Sequence, residues 1–168
     1  MNYIIKGGDY YDHEDDYIPD YWNIMIRKMI PSDLKKIEKF DKYIGIEYIA
    51  KLYDAYIIDN NKMLHSKIDQ FIKKRIHSND NDSLRDAVGI ILYYLFVINN
   101  YEWDINKLAI PKKFPIKYLK IGLQLTQQSI NKINKQIKEK ENTGYKNPKE
   151  RLKALKDENN FFKKQFKN

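Results

Sequence analysis

The chain has 168 residues, a length that fits one domain with a sizeable core. It has no cysteine and only three histidines, which excludes disulfides, thiol catalysis and Cys-bearing zinc sites. Its net charge is +8, and 42% apolar with 14% aromatic residues is too much for a disordered chain.

Four residue types dominate: 25 Ile, 27 Lys, 16 Asn and 14 Tyr, against five Ala and four Arg. All four have AT-rich codons, which points to an AT-rich genome: a low-GC bacterium, its phage or a large eukaryotic virus. Charge is unevenly spread. Residues 1–25 carry six acidic side chains and one Lys, whereas residues 112–168 carry 16 basic and five acidic ones. Such asymmetry implies that the two ends meet different surroundings, or each other.

Residues 1–18 read as an acidic, tyrosine-rich N-terminal arm. The start of the chain is acidic and lacks the basic leader of a secretory signal. In residues 19–30 the spacing of Trp22, Ile26 and Met29 predicts a short helix, stopped by Pro31. Ser32 and Asp33 open a second helix, which ends near Gly45. Residues 46–58 repeat the pattern with Ile49, Leu52, Tyr53 and Tyr56, and residues 63–77 with Leu64, Ile68, Phe71, Ile72 and Ile76. After a polar loop at 78–82, Ser83 with Asp86 resembles a capping box. The helix it opens, 84–101, is apolar on most sides and reads as the central buried one. Its twelve-residue apolar run, 87–98, is too short to span a membrane. Asp104 caps a single turn, and Pro111 and Pro115 bracket an extended link.

The last third has the clearest pattern. Leu119, Leu123, Thr126, Ile130, Ile133 and Ile137 step by four and three, a heptad seam. After Gly144, the run Asn147-Pro148-Lys149-Glu150 is a helix start. Leu152, Leu155, Asn159, Phe162 and Phe166 then continue the seam on a second helix. The predicted fold is all-α. A helical body of about five helices (19–110) is followed by a basic, antiparallel, coiled-coil-like hairpin (111–168), packed on the body or projecting from it.

Four patterns bear on chemistry. Asp9, Asp12, His13, Glu14, Asp15 and Asp16 put oxygen and nitrogen ligands close in sequence, and a hard cation would accept the carboxylates, but they read as a solvated arm without a scaffold. Asp80-Asn81-Asp82 lacks the glycine and glutamate of a calcium loop. Pro19-Asp20 with Asp33-Leu34-Lys35 matches a loose magnesium-nuclease expression, yet the second part opens a helix where such enzymes use strands. His65 and Asp69 share a helix face without a nucleophile tied to them. No catalytic residue, cofactor or metal ligand is assigned.

Two surfaces remain. Lys112, Lys113, Lys117, Lys120, Lys132, Lys135, Lys138 and Lys140 offer contacts to nucleic-acid phosphates. Leu123, Ile130, Ile133, Leu155, Phe161 and Phe162 form a hairpin surface for a protein partner or self-association, with one of the two adjacent phenylalanines exposed as an anchor. The leading expectation is a non-enzymatic assembly or adaptor protein, a structural or accessory component of a virus or phage. It would act inside the cell or in a virion, away from membranes, through the hairpin and the arm. A basic nucleic-acid-binding accessory protein is the alternative, and a metal-dependent nuclease or toxin-like enzyme stands third.

Overall fold

A computed structural model describes residues 18–29, 55–57 and 59–167. Helix is the only regular structure among them, as the apolar periodicity requires. The helix expected from Ser32 to Gly45, most of the one at 46–58 and the acidic arm lie outside the described residues. The chain divides into two compact units, residues 1–70 and 71–168.

In the first unit, helix α1 (Ile18–Met29) buries Trp22, Met25, Ile26 and Met29 on one stripe. The Tyr56 hydroxyl donates to the Met29 carbonyl at 2.7 Å and satisfies one of the acceptors that a helix C-terminus leaves open. Helix α2 (Asn61–Ser78) crosses from the first unit into the second. It buries Leu64, Ile68 and Ile72 at four-residue spacing. Asn79, at φ 57°, ends it in the left-handed conformation that asparagine tolerates.

Helix α3 (Asn81–Ile98) is buried almost all round, as its unbroken apolar run predicts. Its N-cap is Asp80, not Ser83. The Asp80 carboxylate accepts the Ser83 backbone N–H at 2.8 Å and the Ser83 hydroxyl at 3.0 Å. A carboxylate at this position meets both the orphan N–H groups and the positive end of the helix dipole. Asp86, expected in a capping box, pairs instead with Arg75 at 3.5 Å. At the other end, Asn100 and Tyr101 are both left-handed, so α3 stops at Ile98, three residues before its expected end. The Asn99 side chain then bonds Ala109 twice, and Asp104 caps a 3-10 turn at Ile105–Lys107.

Helix α4 (Ile116–Lys138) packs against both α3 and the last helix, α5 (Pro148–Lys164). Asn147 caps α5 through the Glu150 N–H at 3.2 Å, with Pro148 in the first turn, as the sequence predicts. The α4–α5 contacts run antiparallel. Gly122 lies against Phe162, Thr126 against Asn159, and Ile130 and Ile133 cluster with Leu152 and Leu155. The heptad register holds only in its middle. Leu123 is half-buried and Ile137 is 38% exposed, while Tyr118, Gly122, Leu125 and Ser129 are buried off the seam. A helix covered by two neighbours buries a wider arc than a heptad stripe, and a straight helix drifts from the 3.5 period.

Candidate nucleic-acid interface

What α4 leaves to solvent is mostly polar, with Ile116 and Ile137 exposed near its two ends. Its exposed polar positions are 117, 120, 124, 127, 131, 134, 135 and 138, which step by three and four to 134 and stay on one side at 135 and 138. They read Lys, Lys, Gln, Gln, Asn, Asn, Lys, Lys. The 23-residue helix holds no carboxylate at all. Near its ends, Lys112, Lys113 and Lys140 are exposed as well.

Lys132 departs from this face. It is half-buried, and its ammonium donates to the Asn79 carbonyl at 2.5 Å, beside the C-terminus of α2. A cation there meets the negative end of the helix dipole. Gln128 donates to the Asn79 side chain, and the Asn81 amide donates to Gln136 at 2.8 Å and to the Thr143 carbonyl at 2.9 Å. One edge of α4 thus holds the turn between α2 and α3. Seven of the eight lysines expected to meet phosphate face solvent, and the eighth is structural.

Three of the four arginines are engaged inside the second unit. Arg75 pairs with Asp86 and lies over the Phe71 ring at 4.3 Å. Arg85 pairs with Asp82 at 3.4 Å, and Arg151 pairs with Glu158 at 3.4 Å with both side chains buried. Arg85 and Arg151 each approach the Tyr145 ring, at 5.7 and 5.9 Å. Burial raises the Asp86 carboxyl above its usual range, against the pull of Arg85 and Arg75. The Ser83 N–H holds Asp80 below it.

The expected partner surface is otherwise placed. Ile130, Ile133, Leu155 and Phe162 are buried within the chain, and Leu123 is half-buried. The expectation of one exposed phenylalanine is corrected: Phe161 is 6% exposed and Phe162 fully buried, with ring centroids 5.4 Å apart. The heptad pattern allows α5 one covered stripe. In fact a second flank, carrying Arg151, Glu158 and Phe161, is covered too, and the 3-10 turn packs against α5.

The Asp80-Asn81-Asp82 run serves as a helix cap and first turn. His65 and Asp69 sit half-buried one turn apart on α2. Residues 9–16 and 33–35 lie outside the described residues. Among those described, no three His, Asp or Glu side chains stand together as metal ligands, and no helix is long and apolar enough to cross a membrane. Comparison with family models, curated proteins and solved structures found no significant match to this chain.

Proposed function

We propose that the protein is a non-enzymatic accessory factor that binds nucleic acid through the outward face of α4. One observation carries this reading: a helix of 23 residues whose solvent face holds lysines and amides and no carboxylate. Codon bias accounts for abundant Lys and Asn. It does not account for the missing acids, since residues 26–111 of the same chain hold 12 acidic side chains against 14 basic ones. A face of this kind attracts phosphate and releases its counterions. In this reading α4 and α5 form a coiled-coil-like hairpin whose apolar seam holds the fold and whose outer face meets the polyanion. The assembly reading leaned on the same seam and on the acidic arm; five of its six hairpin side chains are covered within the chain and Leu123 is half-buried, and the arm lies outside the described residues.

The test replaces Lys117, Lys120, Lys135 and Lys138 with Gln and follows binding to generic duplex DNA as salt is raised. The four side chains are exposed, so helicity should be unchanged. For each phosphate that is no longer neutralised, the slope of log K against log salt should flatten by about 0.9. An unchanged slope, or no salt-dependent binding by the unaltered protein, would overturn the proposal.

A further inference from the structure

Resting on that reading, we infer that the middle of α4 reads adenine in the major groove of A·T-rich duplex DNA through the amides of Gln127 and Asn131. The lysines are grouped at the two ends, Lys117 with Lys120 and Lys135 with Lys138. At 1.5 Å per residue these groups are separated by about 27 Å, somewhat less than one turn of B-form DNA. The face between them carries only amides, Gln124, Gln127 and Asn131, followed by Asn134. The major groove is about 12 Å wide and admits a helix. Lysines at the ends of such a helix meet the flanking phosphates, and the middle faces base edges.

Two of the amides are already set for this. Gln127 Nε2 donates to Asn131 Oδ1 at 3.0 Å, with both side chains exposed. That bond leaves one acceptor, Gln127 Oε1, and the Asn131 NH₂ donors for another partner on this exposed face. Adenine presents the complement in the major groove, an N6 donor beside an N7 acceptor. Guanine presents two acceptors there, which suit arginine or lysine. Arg75, Arg85 and Arg151 are held in internal pairs, so the guanine reader of choice is absent from this face. With the lysines at the two ends of the helix placed against phosphates, base reading falls to the amides between them.

The experiment measures binding of the full chain to A·T-rich and G·C-rich duplexes at one salt concentration, then to the A·T-rich duplex with 7-deazaadenine in place of adenine. The unaltered protein should prefer A·T by roughly fivefold or more, the lower end for one bidentate base contact. The preference should vanish with 7-deazaadenine, which lacks the N7 acceptor. It should vanish also in the Gln127→Ala, Asn131→Ala double variant, whose salt slope and helicity stay as before. Equal affinity for the two duplexes, with salt-dependent binding intact, would overturn the base reading and leave the phosphate reading standing. So would an A·T preference that survives in the double variant, since lysine in a narrow minor groove produces one too. Equal binding of duplex RNA, whose major groove is closed to side chains, would also defeat it. Absence of salt-dependent binding to any duplex would overturn both readings.

Discussion

Gly122 shows how much of the packing hangs on one missing side chain. A Cβ built there would come within 2.6 Å of three atoms of the Phe162 ring. The ring is fully buried, so it has little room to retreat. Gly122→Ala gains about 1 kcal/mol in helix propensity. Overpacking costs about 1–3 kcal/mol, and a ring clash this close falls at or above the upper end. The variant should therefore melt below the parent, by roughly 2–4 °C for each net kcal/mol of destabilisation. Adding Phe162→Leu should recover part of that stability beyond the sum of the single effects, because the two sites share one space. Close by, Asn159 Nδ2 donates to Thr126 Oγ1 at 2.9 Å, and that hydroxyl donates on to the Gly122 carbonyl at 2.7 Å. Two polar residues in an apolar seam are thus satisfied by each other, which favours a single register between α4 and α5.

At the level of elements, α4 carries the second unit because it packs on both sides. Ile133 is 1% exposed and clusters with Ile130, Leu152 and Leu155. Ile133→Asp puts a charge where no cation is paired with it, and a buried unpaired charge costs several kcal/mol. The variant should lose much of its helical circular dichroism at room temperature, whereas Asn134→Asp, one residue on and exposed, should fold.

Much of this was readable in the sequence. The Asn147-Pro148 start of α5, the Asp104 turn and the apolar run of α3 are local signals, and local chemistry decides them. Three features were not. Asp80 displaced Ser83 as cap because several polar residues in a row each qualify, and only the backbone path chooses. The burial of Phe161 depends on a second flank of α5 being covered, which heptad spacing cannot report. The engagement of Lys132 depends on Asn79, 53 residues away. Of the candidate interface, the lysines were legible as a basic stretch. Their sorting into an outward face required knowing that α3 and α5 cover the rest of α4.

For the molecule as a whole, the charge gradient along the chain becomes a property of surfaces. In residues 112–168, one of the five carboxylates, Glu158, is buried with Arg151, while the lysines outside α4 are exposed. On α4 the like charges of Lys117 and Lys120, and of Lys135 and Lys138, stand three residues apart; the acids nearest in sequence, Glu139 at the C-cap and Glu141 beyond it, reach only the second pair. Each such pair strains a helix by a few tenths of a kcal/mol. The helix folds against that repulsion because its other sides are packed. Salt shortens the reach of the repulsion to about 10 Å at 0.1 M. The melting temperature in the absence of a polyanion should therefore climb as sodium chloride is added, and climb less in the four-lysine Gln variant. Polyanion affinity moves in the opposite sense over the same range. The helix would be least comfortable in dilute buffer and would find its relief there in a phosphate backbone. Added duplex should accordingly raise the melting temperature most in dilute buffer, where salt has done least to calm the helix.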